Sequence, residues 1–179
     1  GATDNLSGNV TYKYSIDGTI WQDCGVFTGY KNATEVTVYA KAIDKVGNES
    51  ASISNKGTTT AISGTVSITQ SPAAGTWTKG NVTVTLSYAN IPSGYVMQYK
   101  LGSGAWTAYN SALTVSENNT KITARLYNSS VNDEVSVSSK TIANIDKVAP
   151  VTPTSVSITV GTNSVTATAT GSSDTLSGL

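Results

Sequence analysis

The chain has 179 residues, only 12% of them charged, with 11 Lys and Arg against 11 Asp and Glu and no His. That balance, with the Lys residues scattered and Arg125 the only Arg, argues against the basic stripe that nucleic acid demands, and no apolar run approaches the roughly 20 residues of a membrane-spanning helix. The length suits one large domain or two small ones, and the single Cys24 excludes an intrachain disulfide.

Residues 1–9 read as a loop. Residues 10–16 then alternate as Val-Thr-Tyr-Lys-Tyr-Ser-Ile. Period two over that length predicts a half-buried strand. Asp17-Gly18 is a hairpin turn signal, and a strand is predicted around Trp21 after it. Val36, Val38, Ala40 and Ala42 alternate with Thr37, Tyr39 and Lys41, predicting a strand over 35–43. Residues 44–48, Asp-Lys-Val-Gly-Asn, read as a turn before a strand at 50–54. Residues 55–60 read as a polar connector.

A second set opens with a strand at 65–69, which Pro72 and Gly75 close. Over 82–88, Val82, Val84, Leu86 and Tyr88 point inward and Thr83, Thr85 and Ser87 outward. Pro92 and Gly94 mark the next turn. Further strands are predicted at 96–101, near Trp106, and at 113–115, 121–127 and 134–142. Residues 145–153, with Pro150 and Pro153, read as a stiff linker. Strands at 156–160 and 165–170 complete the chain, and no stretch reads as a helix.

The pattern recurs. Tyr14 stands seven residues before Trp21 and Tyr99 seven before Trp106, and the two pairs are 85 apart. Later matches, Val38 with Ile122 and Ala40 with Ala124, are 84 apart, as one deletion in a loop would give. Such a period suits whole sandwich domains of roughly 100 residues, not solenoid repeats. Residues 171–178, Gly-Ser-Ser-Asp-Thr-Leu-Ser-Gly, echo residues 1–8, Gly-Ala-Thr-Asp-Asn-Leu-Ser-Gly. The three-part reading is a first module over 1–60 without its opening strands, a full module over 61–148, and a linker with the opening strands of a further module over 149–179. Tyr14, Ile16, Trp21, Val36, Val38 and Ala40 are the expected core of the first. Tyr99, Leu101, Trp106, Ile122, Ala124 and Val137 are that of the second.

The residues Tyr14-Ser15-Ile16-Asp17-Gly18 with Trp21, then Val38-Tyr39-Ala40-Lys41-Ala42-Ile43-Asp44 with Gly47-Asn48, carry a resemblance. So do Trp77, Gly80-Asn81-Val82-Thr83-Val84 and the linker Asn144-Ile145-Asp146-Lys147-Val148-Ala149-Pro150. The chain resembles the fibronectin type III and bacterial immunoglobulin-like modules of Gram-positive surface proteins and of phage tail and adhesin proteins. Residues 126–133 depart from it, lacking the usual Asp and Gly-Asn turn. The resemblance implies an all-β fold of tandem immunoglobulin-like sandwiches and an extracellular, cell-surface or filament location. No signal peptide is visible, so the chain reads as a mature or excised piece.

The expected function is a structural spacer repeat whose partners are neighbouring copies or adjacent repeats, with no cofactor, no metal and no membrane insertion. Head-to-tail strand donation by Val156, Ile158, Val165 and Ala167 is expected to complete the first module. Two rivals stand beside it. One is an adhesin or carbohydrate-binding module contacting a glycan or host surface through Tyr30, Tyr95 and Tyr109. The other is an accessory domain of a larger secreted enzyme. Catalysis by the chain itself is not expected, since it has no His to serve as a base and Cys24 has no second Cys. Asp44, Gly47 and Asn48 could join Asp4 or Asp17 around calcium, but an Asx turn closing a hairpin explains them more simply.

Overall fold

The computed structural model describes residues 8–178, and its fold is all-β, built of antiparallel sheets. By contacts the chain divides into two units. One holds residues 8–63 with Pro92–Tyr95 and Tyr127–Val135. The other holds Gly64–Ile91, Val96–Leu126 and residues 136–178.

In the first unit, β1 (Thr11–Ser15), β2 (Glu35–Ile43) and β3 (Ile53–Thr58) form one sheet in that order. The β1–β2 register sets Tyr12 opposite Ala42 and Tyr14 opposite Ala40. The β2–β3 register sets Ala40 opposite Ile53 and Val36 opposite Gly57. Residues two apart share a face, so Tyr12, Tyr14, Val36, Val38, Ala40, Ala42 and Ile53 lie on one side. β3 runs later than the sequence suggests, through the stretch read as a polar connector. The reason is pairing: Asn55, Lys56 and Gly57 find backbone partners on Val38, Thr37 and Val36. The stretch around Trp21 makes only a two-residue bridge, Gln22 with Tyr14.

Local side chains fix the turns. The Asp17 carboxylate accepts the amides of Thr19 and Ile20, both at 2.8 Å, and the Ser15 hydroxyl at 2.8 Å. The Ile20 amide first, then those other donors, hold its carboxyl far below the usual range. Asp44 accepts the Val46 and Asn48 amides and the Asn48 side-chain amide, and Gly47 supplies a φ of 94°. This is an Asx-type turn satisfied by its own chain.

The second unit holds β4 (Thr65–Ser71), β5 (Val82–Ala89), β6 (Val96–Leu101), β7 (Thr107–Ala108), β8 (Leu113–Val115) and most of β9 (Thr120–Asn128) and β10 (Asp133–Ile142), whose adjoining ends from Tyr127 and up to Val135 belong to the first unit. They form two sheets, β4-β5-β8 and β10-β9-β6-β7. Between them Val82, Val84, Leu86, Val115, Ile122, Ala124, Ile142 and Ile145 make a buried cluster. Along β5 the predicted alternation is complete, with Thr83, Thr85 and Ser87 exposed. Ile145, read as linker, is a core residue at 2% exposure. Asn144 locks it there by donating to the carbonyls of Ala73 and Thr76 and accepting from Gln70.

β11 (Ser155–Val160) and β12 (Val165–Thr170) form a two-stranded sheet, with Ile158 opposite Ala167 and Val160 opposite Val165. Every residue of this hairpin is exposed.

Candidate functional site

Two tryptophans set the outer faces of the units. Lys41 Nζ sits 4.4 Å from the centroid of the Trp21 ring. The Arg125 guanidinium carbon sits 3.8 Å, and Lys100 Nζ 4.9 Å, from that of Trp106. Lys41 alternates with Ala40 and Ala42, so its side chain leaves the sheet on the face opposite them. Trp21 and Trp106 were expected inside, and both are instead half-buried under cations. A flat indole gains from a cation over its face, and the second core is already filled by β5 and β9 side chains. The same backbone contact accompanies each ring: Tyr14 pairs with Gln22, and Tyr99 with Thr107, again 85 residues apart.

Three other expected core residues are exposed: Ile16 at 46%, Leu101 at 42% and Val137 at 54%. Ile16 lies just beyond the end of β1, and Leu101 is the last residue of β6. Val137 turns outward because Ser136 has a φ of 56°, which breaks the alternation of β10. The Ser136 hydroxyl donates to the Gly64 carbonyl there.

The first sheet carries the open apolar surface. Ala40, Ala42, Ala51 and Ile53 line a groove of about 400 Å³ with Tyr12 at its rim. Ile53 is 76% exposed and Tyr12 39%. Further along the same face, Val36 and Val38 meet Phe27 and Tyr30 around a second groove of about 260 Å³. Gly25 also lines this second groove, and its backbone lies against the Tyr14 ring, where an added Cβ would sit 3.5 Å away. Chemically this surface offers shape and apolar contact.

A buried carboxylate lies in the same unit. Asp133 is 6% exposed. Its Oδ2 accepts the Tyr95 hydroxyl at 2.5 Å, the Asn32 amide at 2.9 Å and the Asn32 side-chain amide at 2.8 Å. Its Oδ1 accepts the Glu134 amide at 3.0 Å. Burial pushes its pKa up, but these donors outweigh it and hold the group at about 2. Burial first, then the bond to Asp133, pushes Tyr95 up to about 12. Asp133 was missed in the sequence, because Asn32 and Tyr95 are distant in the chain and no local spacing announces the cluster.

The three tyrosines considered for ligand contact are therefore unlike one another. Tyr95 is buried at 8% exposure, its hydroxyl committed to Asp133. Tyr109 packs against the second core, 5.7 Å from Tyr88 and 6.2 Å from Tyr99 between ring centroids, and its oxygen accepts the Leu86 amide. Tyr30 alone lines a groove. The assembly residues Val156, Ile158, Val165 and Ala167 share one face of the exposed hairpin.

Among the described residues no three His, Cys, Asp or Glu side chains are grouped to hold a metal ion. Asp4, weighed as a calcium partner against the turn reading, lies outside the described residues. Cys24 is free and exposed. The Lys147–Asn81 contact at 3.3 Å, the kind of pair an isopeptide bond would use, is exposed to solvent. Comparison with known protein families and with characterised proteins finds no match.

Proposed function

We propose that the chain is a structural spacer of an extracellular bacterial fibre or surface protein, built from tandem sandwich-type modules and without catalytic activity of its own. One observation carries this reading. The Tyr–Trp–cation arrangement is made twice, by Tyr14, Trp21 and Lys41 and by Tyr99, Trp106 and Arg125, at offsets of 85 and 84 residues. A clamp of this kind holds a loop onto a sheet. Its duplication suits a part whose role is to be repeated. The neutral charge and the Thr-bearing outer faces of β5, β11 and β12 fit an exposed β-surface.

A panel of cell-wall polysaccharides and glycans tests it. A spacer binds none of them above background. The second reading, an adhesin or carbohydrate-binding module, draws on Tyr30 and Phe27 at their groove. Saccharide binding that Tyr30→Ala abolishes would replace the spacer reading with that one.

A further inference from the structure

We propose that the apolar face of the β1-β2-β3 sheet is covered by the β11–β12 hairpin of a second copy of this chain, docking as an opposing sheet. The inference rests on the repeat-module reading, and the second unit supplies its template. There the hairpin β4–β5 lies across the sheet containing β6 and β9, and Val82, Val84 and Leu86 are buried with Ile122 and Ala124. Ile122 and Ala124 stand 84 residues after Val38 and Ala40, on the first sheet's open face. In the first unit no strand hairpin of this kind covers that face among the described residues.

The chain carries a matching cover. Residues 65–69 read Thr-Val-Ser-Ile-Thr and residues 155–159 read Ser-Val-Ser-Ile-Thr. Residues 82–85 read Val-Thr-Val-Thr and residues 165–168 read Val-Thr-Ala-Thr. Both pairs of segments form antiparallel hairpins, with Ile68 opposite Leu86 in one and Ile158 opposite Ala167 in the other. In the first hairpin the apolar side is packed. In the second, Val156 is 64% exposed, Ile158 56%, Val160 74% and Val165 67%. A two-stranded ribbon alone is marginal in water, and an apolar stripe of this kind marks a contact surface.

A backbone edge agrees with the faces. In the second unit β5 pairs with β8, Val82 opposite Val115 and Val84 opposite Leu113. Residues 28–30 stand 85 before Leu113–Val115 and form no strand. The incoming β12 would pair there, with Val165 and Ala167 over Val38 and Ala40. The cover is apolar on apolar, as the surface chemistry requires. Each copy then offers one hairpin and one face. Such a heterologous contact propagates as an open filament, or as a ring where its rotation closes.

Sedimentation or light scattering of the full chain tests this. The expected result is a mass that rises with concentration. Ile158→Asp disables the hairpin and Ile53→Asp the face; both sites are exposed, so each variant keeps the wild-type circular dichroism. Each alone is monomeric. Mixed in equal amounts they form a one-to-one complex and stop there, because one intact hairpin meets one intact face. A wild-type chain that stays monomeric, an Ile158→Asp variant that assembles like wild type, or a mixture that stays monomeric would each overturn the proposal. None of these results bears on the spacer reading, which the saccharide panel decides separately.

Discussion

The Arg125 guanidinium carbon lies over the Trp106 ring, 3.8 Å from its centroid, and the same side chain donates twice to Gln98 Oε1, at 3.0 and 2.9 Å. A strand, a loop tryptophan and a neighbouring strand are thus tied on the outer surface of the second unit. Trp106→Ala should cost about 1–2 kcal/mol, the range for a partly desolvated cation–π contact. A fully buried Trp would cost about 3–5 kcal/mol. Urea unfolding distinguishes the two, and a double-mutant cycle with Arg125→Ala should show coupling above about 0.5 kcal/mol.

Asp133 should give the first unit an acid-labile element. Its folded pKa of about 2 lies below the ordinary value of 3.8. A depressed carboxylate contributes stability above its unfolded pKa and loses it as pH falls through the folded one. Stability should therefore drop between about pH 4 and pH 2. Asp133→Asn should flatten that drop, and at pH 7 it should cost about 1–3 kcal/mol by weakening the bonds from Tyr95 and Asn32. Thermal unfolding across this pH range checks both.

Core and edge residues should separate cleanly. Ile122 is fully buried, and Ile122→Ala should cost about 2–5 kcal/mol. Ile16, of similar size, is 46% exposed, and Ile16→Ala should stay within about 0.5–1 kcal/mol. Denaturant midpoints at constant slope would report the difference.

Cys24 is exposed. Cys24→Ser should leave stability within about 0.5 kcal/mol of wild type. Under mild oxidation the wild-type chain should form disulfide-linked dimers, visible on a non-reducing gel and absent in the variant.

The strands were largely legible because period-two alternation survives wherever one face meets a core, as along β5 and β9. Turn chemistry was legible where one side chain did the work, as Asp44 does. Boundaries failed where backbone pairing overrode composition: Asn55, Lys56 and Gly57 look like a loop and pair as a strand. The tryptophans misled because size and a matched spacing do not say which face of a sheet a ring covers. Lys41 and Arg125, at matching positions with the opposite parity to Ala40 and Ala124, held that information. Asp133 was illegible, since its partners come from segments whose meeting only the fold decides.

The placement of the indoles has a spectroscopic consequence. Trp77 is 39% exposed and Trp21 and Trp106 are half-buried, and none belongs to the buried cluster of the second unit. Intrinsic indole fluorescence therefore reports on the rim of each unit. Tyr88, Tyr99 and Tyr109, packed against that cluster, carry the optical signal of the interior. An emission change read at indole wavelengths would follow loosening at the rim, while melting of the core would add a tyrosine absorbance change from these three of the chain's nine tyrosines. Two dyes built into one chain thus time two different events.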